Sequence, residues 1–203
     1  MRQRRRRVIT WAVVPVLTVG LWLLYRGLYP RHYRVTILSS LGGNHTAPYA
    51  INDHGQIVGV AETEKGDHHL VLWDQERKLH DLGSIGESLS RFDINNTGQI
   101  AGAMKDPNGH TRGFLRDPNG RIEWLPTFAG GGCYVRALNN RGQIVGSSKV
   151  ADGSSLAFLW DKAGGIRDLG TLNGKESQAR AINDNGQVFG FSGDLFFGTR
   201  TRG

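Results

Sequence analysis

Cysteine is almost absent from this 203-residue chain, which contains only Cys133. One cysteine excludes an intrachain disulfide, and it excludes a metal site built only from cysteines. Free cysteine behaves as a small apolar side chain, so we expect Cys133 to be buried.

The sequence phrases that carry known chemistry are also missing. The chain has no HExxH zinc phrase, no EF-hand spacing and no phosphate-binding loop ending in Lys-Ser or Lys-Thr, and its histidines are scattered. A catalytic carboxylate pair cannot be assigned, although Asp67, Glu87 and Asp106 are acidic residues that a glycan-cleaving enzyme would draw on. We therefore predict no catalytic residue, no metal and no cofactor, and a binding protein rather than an enzyme.

The positive charge is confined to one end of the chain. The formal net charge is +7 and the isoelectric point is about 9.9, yet five N-terminal arginines account for most of it and leave +2 for the rest. Nucleic-acid binding needs a basic face on the folded domain, so we expect no nucleic-acid partner. These arginines are Arg2, Arg4, Arg5, Arg6 and Arg7.

A single long apolar run follows this basic tail. Residues 8–25, VITWAVVPVLTVGLWLLY, carry no charge and would span about 27 Å as a helix, close to the roughly 30 Å of a bilayer core. We predict a cytoplasmic tail (1–7), a transmembrane signal-anchor (8–25), a linker (26–32) and an exported domain (33–203). The protein would lie in the bacterial cytoplasmic membrane as a single-pass protein, with its C-terminal domain periplasmic or extracellular. A cleaved signal peptide is the alternative, but no small-x-small site follows the run.

Four copies of one phrase divide the remainder of the chain. They are INDHGQIVG, INNTGQIAG, LNNRGQIVG and INDNGQVFG, and they start 43 to 44 residues apart. Each full repeat contains four short extended runs, such as 47–52, 55–62, 69–75 and 78–84, and the Asn-x-x-Gly step between the first two is hairpin chemistry. This period predicts an all-β β-propeller of about four four-stranded blades.

The segment before the first phrase matches the end of a repeat. Leu38 aligns with Leu82, Leu125 and Leu169, at the same spacing. The last copy lacks this run, so we predict that residues 33–38 supply its fourth strand and close the ring. The alternative is an incomplete ring that closes by self-association as a homodimer. Trp73 and Trp160 are repeat-equivalent, and we expect both to pack between sheets.

Residues 157–190, AFLWDKAGGIRDLGTLNGKESQARAINDNGQVFG, resemble the HAF-family extracellular repeat of bacterial exported proteins. The resemblance extends over about residues 33–191, and its most specific marks are AFLW, DLGTL and AINxxGQxxG. Leu156 stands in place of the family's His, and Arg116 in place of Trp. The resemblance implies a repeat fold and an extracytoplasmic location, and it transfers no catalytic residue.

Two polar positions recur in every phrase. In a ring they would form polar circles. They either close their own turns and satisfy nearby backbone groups, or form a shallow mouth for a sugar or peptide. The positions are Asn52, Asn95, Asn139 and Asn183, with Gln56, Gln99, Gln143 and Gln187.

The sequence thus favours a membrane-anchored propeller that binds an envelope protein or glycan through its variable loops, residues 62–69, 104–112 and 148–155. An envelope polysaccharide hydrolase or lyase, and a remnant of a larger repeat protein, are the alternatives.

Overall fold

The computed structural model describes residues 35–86, 91–128, 132–172, 174–193 and 195–200, the last range by its backbone only. The chain divides into two units, Met1–Ile37 and Leu38–Gly203. Of the first unit only residues 35–37 are described, and they form no strand. The predicted tail, anchor and linker lie outside the described residues. The described residues contain no helix of the length and apolarity that a membrane span requires.

Within the described residues, fifteen strands form four antiparallel sheets, in each of which the strands follow chain order. The first sheet contains β1 (Gly42–Ile51), β2 (Ile57–Thr63), β3 (His68–Trp73) and β4 (Leu79–Ser84). The second contains β5 (Asp93–Ile94), β6 (Ile100–Lys105), β7 (Thr111–Arg116) and β8 (Ile122–Trp124). The third contains β9 (Cys133–Leu138), β10 (Ile144–Lys149), β11 (Ser155–Asp161) and β12 (Gly165–Asp168). The fourth contains β13 (Ser177–Ile182), β14 (Gln187–Ser192) and β15 (Leu195–Arg200). The predicted all-β repeat is confirmed.

The repeated phrase forms the turn between the first two strands of each sheet. In the first copy, Gly55 has φ of 76° and donates its N–H to the carbonyl of Asn52 at 2.9 Å. Glycine adopts this left-handed conformation without the steric cost that a Cβ brings. The predicted hairpin is confirmed, and the other three phrases repeat it.

Successive sheets pack face to face, and the core lies between them. One apolar cluster joins the first and second sheets, a second cluster joins the second and third, and a third cluster joins the third and fourth. Cys133 is buried in the second cluster, as predicted, and burial raises the pKa of its thiol to about 12.

The outer face of the first sheet is covered around Trp73 by the segment that precedes it. Trp73 is 0% exposed and clusters with Leu38 and Leu41, and its indole N–H donates to the carbonyl of Ser39 at 3.0 Å. Trp160 is buried between the second and third sheets, as predicted. Trp73 differs from the prediction, because it packs against Leu38 and Leu41 rather than against a second sheet.

The predicted closure by residues 33–38 is not what the structure shows. The fourth sheet has three strands, and residues 35–38 form no strand; residues 33 and 34 lie outside the described part. No strand of the first sheet makes an extensive contact with a strand of the fourth sheet within the described residues. Leu38 lies only four positions before β1, so the nearest apolar surface open to it is the face around Trp73.

Removing the Trp73 side chain should destabilise the first sheet strongly. For Trp73→Ala we expect a loss of about 3–5 kcal/mol in the free energy of unfolding, because a large buried side chain leaves a cavity. Chemical denaturation followed by circular dichroism measures it. The control is Leu172→Ala, at a position 62% exposed, which we expect to change stability by less than about 0.5 kcal/mol. Equal effects of the two variants would contradict the burial of Trp73 beside Leu38 and Leu41.

Candidate functional site

Each repeat-equivalent asparagine closes its own turn with its side chain. The Oδ1 atom of Asn52 accepts the N–H groups of His54 at 3.1 Å and Gln56 at 3.0 Å. Its Nδ2 donates to Oε1 of Gln56 at 2.8 Å. The other phrases have the same three bonds, which is the turn-closing role considered for the sequence pattern. Each glutamine side chain accepts from the amide of its own asparagine, a bond that the sequence pattern did not predict.

The same asparagines also connect neighbouring repeats. In the first three phrases, the second N–H of the amide reaches the backbone carbonyl of the equivalent asparagine in the following sheet. The bonds run from Asn52 to Asn95 at 3.0 Å, from Asn95 to Asn139 at 3.1 Å and from Asn139 to Asn183 at 3.0 Å. The three donors are buried and use both amide hydrogens.

The next position of the phrase forms a second, exposed row of bonds. The backbone N–H of Asn96 donates to Oδ1 of Asn140 at 2.8 Å, and that of Asn140 donates to Oδ1 of Asp184 at 2.9 Å. The side-chain amide of Asn140 donates to the other carboxylate oxygen of Asp184 at 2.8 Å. These bonds from Asn140 hold the pKa of Asp184 below its usual value. Together the two rows fasten the four turns into one ladder, which sequence reasoning missed.

The buried row should not tolerate a carboxylate. Asn95→Asp keeps the acceptor for the turn but replaces two donated hydrogens with a negative oxygen facing Oε1 of Gln99 and the carbonyl of Asn139. We expect a loss of about 2–4 kcal/mol at pH 7, partly regained at pH 4 as the new carboxyl protonates. Urea unfolding at both pH values measures it. Asn185→Asp, in an exposed turn, adds the same charge and should cost less than about 0.5 kcal/mol. A pH-independent loss would argue against a buried charge.

Asp93 forms a further bond between the second and third sheets. Its Oδ2 accepts the backbone N–H of Leu138 at 2.8 Å. Burial raises the pKa of the Asp93 carboxyl, although the N–H groups of Leu138 and Ile94 oppose the rise. The folded state therefore holds this proton more tightly than the unfolded state, and ionisation of Asp93 costs stability.

This burial gives a pH dependence of known sign. Because the folded pKa is raised, the contribution of Asp93 to stability is largest below its unfolded pKa of 3.8 and falls as pH rises through the folded pKa. We expect Asp93→Asn to become more stable relative to the unsubstituted protein as pH increases from 3 to 7. Thermal unfolding across this range measures the difference, in which the effects of the other carboxylates cancel. A difference that is constant with pH would contradict it.

A groove with a volume of about 660 Å³ lies between the second and third sheets. Residues of the β6–β7 turn form one wall, and the start of β9 and the end of β10 form the other. The lining side chains that carry charge or an aromatic ring are Asp106, His110, Arg112, Tyr134 and Lys149. The loop 104–112, selected as variable in the sequence, contributes three of them.

Internal bonds position two of these side chains. Oδ1 of Asp106 accepts the N–H groups of Asn108 at 2.9 Å and His110 at 3.0 Å, so this buried carboxylate closes the turn. Arg112 donates from Nη2 to the carbonyl of Leu125 at 3.0 Å, and its guanidinium lies 5.8 Å from the ring centre of Trp124. Lys149 is exposed and Tyr134 is 41% exposed, so both are accessible to a ligand.

A smaller groove of about 330 Å³ lies between the first and second sheets, on the side of the phrase turns. Gln56 and Arg116 line it, and Arg116 stands where the first and third repeats have tryptophan. Of the eight repeat-equivalent polar residues, Gln56 is the one that lines this groove.

The acidic residues considered for catalysis are distributed over separate elements. Asp67 lies in the β2–β3 turn and Asp106 in the β6–β7 turn of the next sheet, while Glu87 lies outside the described residues. Two histidines of the first sheet each contact an aspartate carboxylate. His69 lies 2.9 Å from Asp81, and His80 lies 2.7 Å from Asp74. Within the described part of the chain, no three histidine, cysteine or acidic residues are placed to hold a metal ion.

Comparisons with known proteins bear on the fold. No family model and no curated protein matches this chain. A similar solved structure is the crystal structure of TolB from Acinetobacter baumannii, with a TM-score of 0.53 and 16% sequence identity. The match covers 77% of this chain and 43% of that chain, so this chain spans less than half the length of the TolB chain. This likeness concerns the fold alone, and it supports an all-β repeat protein of the β-propeller type.

Proposed function

We propose that this protein is a membrane-anchored, exported β-propeller that binds an acidic envelope glycan in the groove between its second and third sheets. The observation that carries the proposal is the convergence of Tyr134, Arg112 and Lys149 on one groove of about 660 Å³. A groove of this size lies within the usual range for ligand sites, roughly 300–1,000 Å³.

The chemistry of the three side chains fits a sugar that carries a carboxylate. An exposed tyrosine ring offers a flat apolar face with a polar tip. Arg112 is held by Leu125 and Trp124, so its guanidinium is ordered before a ligand arrives. Lys149 lies on the opposite wall, where its ammonium group would neutralise an acidic substituent.

The proposed location follows from the N-terminal sequence and from the resemblance to the HAF repeat. The arginines before residues 8–25 favour retention of the N-terminus in the cytoplasm. A seven-residue linker reaches at most about 23 Å, so the propeller would lie close to the membrane surface, where envelope glycans are accessible.

Binding is favoured over cleavage because the acidic residue of the groove already has partners. Two backbone N–H groups occupy Oδ1 of Asp106, and Arg112 and His110 lie 3.8 Å from its carboxylate. A general acid or base must reach the atom whose proton it transfers. Asp106 serves the turn instead, which leaves the alternative of a hydrolase or lyase without a defined acid in this groove.

Substitutions in the groove test the proposal. Tyr134→Ala and Lys149→Glu should each weaken binding to an acidic polysaccharide by roughly 5- to 30-fold, since each removes one principal contact. Isothermal titration of the detergent-solubilised full chain against acidic and neutral polysaccharides measures this. Lys65→Glu makes the same charge change on an exposed turn of the first sheet and should leave affinity unchanged. Equal weakening by Lys65→Glu, or no polysaccharide binding at all, would reject the groove. Selective capture of an envelope protein instead would support the protein-binding alternative.

A further inference from the structure

Each internal junction between sheets uses the same two positions of the repeat. The forward position is the second residue after the phrase glutamine, and the back position is the first residue of the phrase. The forward residue of one sheet shares an apolar cluster with the back residue of the next. The pairs are Val58 with Ile94, Ala101 with Leu138, and Val145 with Ile182.

At the two end sheets these positions are exposed. Phe189 occupies the forward position of the fourth sheet and is 50% exposed, whereas its three equivalents are 0% exposed. Ile51 occupies the back position of the first sheet and is 62% exposed. The two end faces therefore present the two halves of one junction, and apolar area of this kind is stabilised when it is covered.

The first and fourth sheets also have complementary hydrogen-bonding groups, a carbonyl acceptor in the first and an amide donor in the fourth. Asn183 is exposed, and among the described residues its Nδ2 bonds only to Gln187, where the equivalent asparagines also donate to the following repeat. Asn52 donates forward to Asn95, but its own carbonyl receives no amide from a preceding repeat within the described part. One end thus offers the donor of the ladder, and the other end offers the acceptor.

Among the described residues the fourth sheet has no fourth strand, which is the strand that residues 35–38 match in sequence. Val35 and Ile37 are 88% and 93% exposed. Leu38 packs beside Trp73 as its equivalent Leu125 packs beside Trp160. Leu125 directly follows β8, the fourth strand of the preceding sheet. Relative to the first sheet, Leu38 therefore occupies the position that Leu125 of the second sheet occupies relative to the third. In the described chain, no sheet precedes the first.

We propose that two copies of this chain associate head to tail, with the fourth sheet of one copy packed on the first sheet of the other. Phe189 meets the partner's Ile51, Asn183 donates to the partner's Asn52 carbonyl, and β15 pairs with the partner's residues 35–38. Strand addition to an open sheet edge supplies backbone hydrogen bonds. A head-to-tail contact made twice closes a two-fold dimer when the rotation allows it. The proposal does not depend on the glycan groove.

A second copy is the occupant that the geometry favours. The first and fourth sheets of the described chain make no extensive contact with each other, although both end faces are built like an internal junction. A second copy would cover the face around Phe189 and the face around Ile51, and its residues 35–38 would pair with β15.

Disulfide trapping tests the contact. The native Cys133 is buried, so introduced cysteines are the accessible thiols of the described part. Detergent-solubilised full-length Ile51→Cys and Phe189→Cys chains are mixed and oxidised with copper–phenanthroline. We expect a cross-linked species of about twice the 22.3 kDa chain mass on a non-reducing gel. Light scattering of the unsubstituted protein should give a protein mass of two chains.

The control pairs Ile51→Cys with Leu172→Cys, which is equally exposed but lies away from the forward position. No cross-link is expected from that mixture. A chain that carries both Ile51→Cys and Phe189→Cys separates the alternatives. Cross-linked dimers support the proposal, whereas an internally linked monomer would show that one chain closes on itself and would overturn it. A monomeric mass with no cross-link would overturn it as well.

The proposed pairing of β15 with the partner's residues 35–38 has its own test. Thr36→Pro removes a backbone N–H and should reduce the dimer fraction at least tenfold at a fixed protein concentration, while Thr36→Ala should not. Unfolding of the monomer by heat should be the same for both variants. Dimers that survive Thr36→Pro unchanged would reject pairing of residues 35–38 with β15.

Discussion

One side-chain amide holds together the repeated unit and its neighbour. In each of the first three phrases, the buried asparagine uses its oxygen to close its own turn, one hydrogen to bind the phrase glutamine and the other to bind the next backbone carbonyl. A buried amide is stabilising only when its polar atoms have partners, so the local turn and the spacing of the sheets are fixed by the same residue. No other amino acid combines this donor and acceptor at the length of one methylene.

The apolar residues between neighbouring sheets can pack because the asparagine bonds set the spacing of the sheets. Because the turns are fastened side by side, the residue two after each of the first three glutamines shares an apolar cluster with the first residue of the following phrase. The structure resembles other repeat proteins in that each unit is stabilised mainly by its neighbours. The two end units are the exceptions. Ile51 and Phe189 are apolar residues at junction positions, yet both side chains are exposed.

The period of the phrase predicted much of this fold, including the hairpins, the three four-stranded sheets and the burial of Trp73 and Trp160. The alignment of Leu38 with Leu125 was informative as well, because Leu38 contacts Trp73 as Leu125 contacts Trp160. The alignment did not give the strand partner of this segment, since residues 35–38 form no strand beside the fourth sheet in the described chain. Sequence equivalence identifies the end of a repeat, and it does not show which sheet that end pairs with. The groove of Arg112, Tyr134 and Lys149 was beyond sequence reasoning, since these residues come from different repeats and share no spacing rule.

The bond between repeats has a consequence for how such a gene changes. The asparagine donates to a main-chain carbonyl, which every residue possesses, so this bond does not depend on the side chain that follows. A unit copied or lost by recombination would bring its own donor and find an acceptor already in place. The number of units can therefore change without losing this bond, and only the apolar pair and the exposed row at the junction need to match.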